Sequence, residues 1–348
     1  MTWSRRQFSA ALGLTPLLAC DRGTRSAPRE AVTEPAIAVT EPVVAPKKPS
    51  MHYQPAGPDY MRADGPAPFS FDGEELLEIR DGVLIRRDAA LAEISRLPLT
   101  DVTSFAVLRD RSLVVLVKPA ASLPRVHHVV AGRSKASYAS HGKLLAPTEN
   151  LNEIWVVDDR HVSREQFGTD NLTGMMVPNV THVLPQNMGP GFAALPDGTI
   201  AVSSNTAILH ADATKLSSYT WTGDSEHLAP GPGPRTLWTS ANFDTVALVS
   251  LEGTEAKVIA RHALKPDETI LHLAGAGEHT AAVIARTSET APVEFTLAVY
   301  TTKGEQWRAP LGGPRQLFYA ALSATRVVVR AEPQYLLRAW DLATGKPA

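Results

Sequence analysis

Leu336-Leu337-Arg338-Ala339-Trp340-Asp341-Leu342-Ala343-Thr344-Gly345-Lys346 reads as a β-strand running into a tight hairpin. The Asp-x-x-Thr-Gly-Lys segment carries turn chemistry: an aspartate whose side chain accepts turn amides and a glycine free to take positive φ. Leu297-Ala298-Val299-Tyr300-Thr301-Thr302-Lys303-Gly304-Glu305-Gln306-Trp307 repeats the plan with Thr301 at the aspartate position, and its tryptophan is expected to dock between neighbouring repeats.

Working outward, short apolar runs recur between turn residues from Phe69 onward, among them Gly82–Arg86, Ser112–Val117, Glu153–Asp158, Thr199–Val202, Val246–Val249, Ala281–Ile284 and Arg326–Val329. No long stretch has the 3.6-residue period of an amphipathic helix, so the chain is read as all-β. The runs recur every ~30 to 45 residues, and about 280 residues divide into about seven units of about 40, the length of a propeller blade. Starts are expected near Phe69, Thr103, Lys143, Gly191, Arg235, Ile270 and Arg315.

The two hairpin segments resemble the repeat of the WD40 and quinoprotein-like propellers, and the resemblance implies a β-propeller of four-stranded blades. The last repeat supplies three strands, so an N-terminal strand, around Pro68–Asp72 or Leu76–Ile79, is expected to complete the last blade and close the ring, removing two sheet edges.

Ahead of this domain (residues 66–348) lie two other segments. Residues 21–65 carry Pro28, Pro35, Pro42, Pro46, Pro49, Pro55 and Pro58, too closely spaced for helix or central strand, and are expected to form a disordered linker. As a flexible coil, about 45 such residues would separate their ends by about 35 to 40 Å. Residues 1–20 carry Arg5 and Arg6 followed by a short apolar run, the layout of an export signal. Ser4-Arg5-Arg6-Gln7-Phe8 resembles the twin-arginine motif, and Leu17-Leu18-Ala19-Cys20 resembles the lipobox of bacterial lipoproteins, which implies that Cys20 is lipidated. Cys20 is the only cysteine, so a disulfide or a cysteine metal site within the chain is excluded. Acyl chains on it would hold the domain at a membrane of the bacterial envelope, inner or outer.

A formal charge of −2 with both signs interspersed gives no basic field for nucleic acid. Neither a nucleophile elbow, a phosphate loop, a zinc helix nor a CxxC pair occurs, and no cofactor, metal or catalytic residue is assigned. His127, His128, His141 and His161 form the densest histidine region, but neighbours on a strand face opposite ways, so His127 and His128 cannot both serve one ligand. Asp110, Asp158 and Asp197-Gly198 are read as turn residues, Gly231-Pro232-Gly233-Pro234 as a loop between blades, and the scattered tryptophans as packing between blades.

Residues 163–187 depart most from the blade rhythm, and insertions in repeat folds gather on one face, often the binding face. Arg133, Lys135, Asn171, Met175 and Met176 are therefore the expected interaction loops. The function expected is a lipid-anchored extracytoplasmic scaffold or accessory subunit that binds a protein partner in the envelope, its oligomeric state open. The alternative is a propeller enzyme, a quinone-cofactor oxidoreductase or metal-dependent hydrolase, with its site in the central channel.

Overall fold

The second strands of the sheets are the most deeply buried, and they are the apolar runs most visible in the sequence. In a computed structural model, residues 67–169, 176–185, 188–204, 207–221, 227–287, 292–312 and 317–348 are described. The chain divides into units 1–53 and 54–348, and the described residues belong to the second. Arg5, Arg6, Phe8, Cys20 and the whole linker, residues 21–65, lie outside them.

The described residues contain strands and no helix, and so no helix long and apolar enough to cross a membrane. The first sheet runs β1 (Phe69–Asp72), β2 (Glu75–Arg80), β3 (Val83–Arg87), β4 (Glu93–Arg96). The second runs β5 (Val102–Val107), β6 (Leu113–Val117), β7 (Arg125–Val130), β8 (Arg133–Ala139). A third, β9 (Leu144–Pro147), β10 (Glu153–Val157), β11 (His161–Thr169) and β12 (Met176–Val183), has the same up-and-down order.

An eight-stranded sheet follows. It joins the antiparallel run β13 (Met188–Ala194), β14 (Ile200–Ser204), β15 (Ala207–Ala211), β16 (Leu216–Thr220) to a second run, β17 (Leu228–Pro230), β18 (Thr236–Ala241), β19 (Thr245–Glu252), β20 (Glu255–Ala263). The link is a parallel pairing of Thr220 with Glu255. The last two sheets are β21 (Glu268–Ala276), β22 (His279–Arg286), β23 (Glu294–Thr301), β24 (Gly304–Pro310), and the three-stranded β25 (Leu317–Leu322), β26 (Arg326–Glu332), β27 (Leu336–Asp341). The described strands thus form six sheets.

Burial explains why some strands are legible. All five residues of β6 and of β10 are buried, and β19, β22 and β26 are buried almost throughout, because a neighbouring sheet covers each of their faces. Fourth strands meet solvent: β4 is exposed at every residue, and β20 carries Lys257 and Arg261 outward. Seven clusters of buried apolar side chains lie between successive runs of strands, one of them joining the final sheet to the first. First strands of neighbouring runs pack together, β5 on β9, β13 on β17, β17 on β21, β21 on β25 and β25 on β1, so they surround the axis.

Closure differs from the expectation. Residues Phe69–Asp72 and Leu76–Ile79 form β1 and β2 and pair with each other in the first sheet, as Ser70 with Leu77, so they do not complete the last one. Beside β27 lies the chain's own tail, with a bridge from Trp340 to Pro347 and an Ala348 N–H to Ala339 carbonyl hydrogen bond of 3.0 Å. First and last sheets meet face to face through side chains. A second correction concerns Gly231-Pro232-Gly233-Pro234, which joins β17 to β18 inside one run, not two repeats. Pro230 limits β17 to three residues, which is why the start expected at Arg235 falls one strand late.

Side-chain latches tie neighbouring runs together. The indole N–H of Trp155 donates to the Gly198 carbonyl at 2.8 Å, that of Trp238 to Gly277 at 3.1 Å, and that of Trp307 to Leu342 at 2.7 Å. His182 and His262 do likewise through Nε2, to Asp212 at 3.0 Å and to Thr301 at 2.9 Å. Each latch places an aromatic body in the apolar joint and its one polar hydrogen on a turn carbonyl of the next run.

Candidate functional site

Two clusters bring together the residue types of nucleophilic catalysis. In the second sheet, His128 Nε2 lies 3.1 Å from Ser112 Oγ, and Ser112 donates its hydroxyl hydrogen to Asp110 Oδ1 at 2.6 Å. The eight-stranded sheet repeats this, with His210 Nε2 2.8 Å from Thr199 Oγ1 and Thr199 donating to Asp197 Oδ1 at 2.6 Å. Both start from an aspartate in the turn after a first strand, a hydroxyl two residues on, and a histidine on the third strand.

Their wiring opposes catalysis. A triad needs the hydroxyl to give its proton to the histidine and the carboxylate to orient the ring. Here the hydroxyl hydrogen is committed to the carboxylate, so the ring donates to the hydroxyl oxygen. The Ser112 hydrogen bonds, side chain first and then backbone, hold Asp110 below the usual carboxylate range, and burial holds His210 below the usual histidine value. Ser112 and His210 are buried from any substrate. These clusters lock turns to strands.

Near the axis, Nδ1 of His272 on β21 accepts the Ala320 backbone N–H of β25 at 3.2 Å. Burial, with His227 as a smaller cause, pushes His272 down to about 3, so it is a neutral acceptor at ordinary pH. The partly exposed residues of the first strands are mainly apolar or small, such as Phe71, Phe105, Val107, Leu144, Phe192, Ala194 and Ala274. Among the described residues no group of three His, Cys, Asp or Glu could hold a metal.

A polar cavity of about 310 Å³ opens between β20 and the sheet that follows, lined by His262, Lys265, Glu268, Tyr300, Glu305 and Arg308. Arg308 is shared by Glu268, to which it is hydrogen-bonded, and Glu305 at 2.8 Å. Against the cost of burial, those two carboxylates hold the guanidinium above the ordinary arginine value. His262 stacks on Tyr300 at 5.7 Å between ring centres while its Nε2 serves as a latch. Two acids are thus balanced by Arg308 and Lys265, and every polar group of the Arg308 fork is engaged.

Of the expected interaction residues, Arg133 and Lys135 lie exposed on β8. Asn171 and Met175 lie outside the described residues. Met176 opens β12 and is buried with Val156 and Leu145, so it belongs to the core rather than to an exposed loop, its thioether filling the joint between the second and third sheets. The four histidines separate: His127 faces Ser134 at 3.1 Å, His128 faces Ser112, His161 meets Asp158 at 3.2 Å, and His141 is exposed.

Sequence reading missed Glu165, on β11. Burial raises this carboxyl to about 7, opposed by a hydrogen bond from Ser163 and reinforced by Asp158. Its polar neighbours along the chain gave no signal of that burial. The exposed apolar side chains were missed too: Val177 and Val183 on β12, and Val258 and Ile259 on β20, are 42, 71, 44 and 52 % exposed.

With this geometry in view, no protein-family model and no curated protein matches the chain. Solved structures do. A Kluyveromyces lactis Hsv2 with loop 6CD replaced by a Gly-Ser linker is similar at a TM-score of 0.59 and 12 % identity, over 78 % of this chain and 90 % of that one. Kluyveromyces marxianus Hsv2 matches at 0.58 and 11 %, over 78 % and 90 %. A second Kluyveromyces lactis Hsv2 structure matches at 0.58 and 13 %, over 78 % and 91 %. The likeness shows the β-propeller fold. At such identities it carries no activity across.

Proposed function

We propose that this chain is a lipid-anchored, extracytoplasmic propeller of seven blades that binds other proteins, as a scaffold or accessory subunit in the bacterial envelope. The blade count takes the eight-stranded sheet as two blades touching at Thr220 and Glu255, one for each run between the seven apolar clusters. The anchor rests on Leu17-Leu18-Ala19-Cys20 and the export route on Arg5, Arg6 and Phe8.

The observation that carries the binding role is the exposure of Val177, Val183, Val258 and Ile259 on fourth strands, while the polar groups nearer the axis are tied into internal hydrogen bonds. β12 ends its sheet, so its outer edge has no strand partner among the described residues. Apolar side chains on an open strand edge are a template for association. Arg133 and Lys135 on β8 supply a polar, charged part of the surface. The test is chemical crosslinking in native membranes with identification of the adducts, beside a Cys20→Ala chain. A discrete protein adduct that is membrane-bound only with Cys20 supports the reading; a monomer recovered from the soluble fraction in both forms overturns it.

A further inference from the structure

The joint between the last sheet and the first has the smallest apolar cluster of the seven. Its apolar cluster holds five buried residues, Phe69, Leu76, Ala321, Val328 and Ala339, against fifteen in the cluster between the two sheets preceding it. Three of the five are alanine or valine, so the apolar area removed from water is small. No tryptophan or histidine latch to a turn carbonyl spans it among the described residues.

Arginines span it instead. Arg326 on β26 reaches Glu74 Oε2 at 3.3 Å, and its other nitrogens donate to the carbonyl oxygens of Ala89 and Glu74. Arg330, two turns of the pleat further on, donates to the Ile79 carbonyl at 2.7 Å and pairs with Glu78 at 3.3 Å. The same Glu78 is held by Arg87 at 2.8 Å, and Glu332 pairs with Arg330 from its own strand. Tyr335 adds a hydrogen bond to Asp81 at 3.1 Å. Rings of Phe69, Tyr319 and Tyr335 surround the Arg330 guanidinium within 5.9 Å.

Charge pairs make a different kind of joint from apolar packing. Arg330 and Glu78 are 3 % and 0 % exposed, so closing the joint strips both of water, and their attraction largely offsets that loss without adding much. The buried Nε–H of Arg330 has no partner among the described residues, which adds a further cost to the closed state. Opening returns these charges to water, whereas opening any other joint exposes a larger apolar cluster.

We propose that the joint between the last and first sheets is an ionic latch at which the ring opens locally before the domain unfolds. The latch is a conformational device separate from the scaffold reading, since it concerns the ring and not its partners. Opening would part β26 from β2 and its flanking turns, releasing Arg326 and Arg330 from Glu74, Ala89, Glu78 and Ile79.

Hydrogen exchange of the full chain, followed segment by segment under native conditions, tests it. Amides of β1, β2, β26 and β27 are expected to exchange about tenfold faster than those of β18 and β22. Arg326→Met removes the bonds to Glu74 and Ala89, and is expected to speed exchange in those four strands about tenfold further while leaving β18 and β22 unchanged. Glu74→Ala, a milder change at a half-exposed residue, is expected to act in the same direction and guards against a variant that fails to fold. Equal exchange in all sheets, or acceleration of all sheets together in Glu74→Ala, overturns the proposal.

Discussion

Trp307 donates its indole N–H to the carbonyl oxygen of Leu342, 2.7 Å away, and its ring lies directly over Gly345 of the same turn. A Cβ at Gly345 would fall 2.7 Å from Trp307 Cδ2, and the backbone there has φ +68. Gly345→Ala therefore meets both a steric and a conformational obstacle. It is expected to lower unfolding free energy by about 1 to 3 kcal/mol, read as a shift in urea midpoint at unchanged slope.

Trp155 makes the same kind of bond at the joint between the third and fourth runs, fully buried with its N–H on the Gly198 carbonyl. Trp155→Phe keeps an aromatic ring but strands the carbonyl, at a cost of about 1 kcal/mol. Trp155→Ala adds a cavity and should cost about 3 to 5 kcal/mol. Near-equal midpoints for the two variants would show that the ring does not fill the joint.

His272 makes stability depend on pH. An unfolded histidine takes its proton near 6.5, while burial in the fold delays this to about 3. The unfolded state therefore binds the extra proton between these values, so this contribution is whole above pH 6.5 and falls by up to about 1.4 kcal/mol per pH unit as pH drops toward 3. His272→Gln keeps an acceptor for the Ala320 N–H but cannot be protonated there. The loss of stability between pH 7.5 and pH 4.5 is expected to be smaller in this variant than in the parent.

Glu165 acts with the opposite sign. Its carboxyl would ionise at 4.5 in the unfolded chain but holds its proton to about 7 in the fold. Its contribution is whole below pH 4.5 and is lost as pH rises through 7. Glu165→Gln, uncharged throughout, is expected to be near neutral at pH 4.5 and to stabilise by about 1 kcal/mol at pH 8, a figure reduced for partial solvent access. A variant less stable than the parent at pH 8 would contradict this.

Strands buried on both faces were legible in the sequence, because an uninterrupted apolar run such as Leu113–Val117 or Ile154–Val157 has few other readings in a chain without helical period. The turn chemistry of Asp341 was legible for the same local reason: Thr344 donates to its Oδ1 through N at 2.8 Å and through Oγ1 at 2.6 Å. Closure was not, since whether β1 pairs with β27 or with β2 depends on contacts about 250 residues apart in sequence, such as Arg330 with Glu78. Exposed strands such as β4 and β20 have no apolar alternation to announce them, and the histidines that face Ser112 and Thr199 gave no motif. Met176 looked like part of a polar loop because its burial comes from the neighbouring sheet.

Under the proposed function, this propeller meets a protein partner at the membrane through its outer strands. The most direct measurement places a photo-crosslinking residue at Val183 on β12, at Ile259 on β20, and as a control at Ser218 on β16, in the full chain in native membranes. A discrete adduct of one size from Val183 or Ile259 and none from Ser218 is expected. Uncrosslinked monomer from all three positions, with the chain intact in the membrane fraction, would contradict the account.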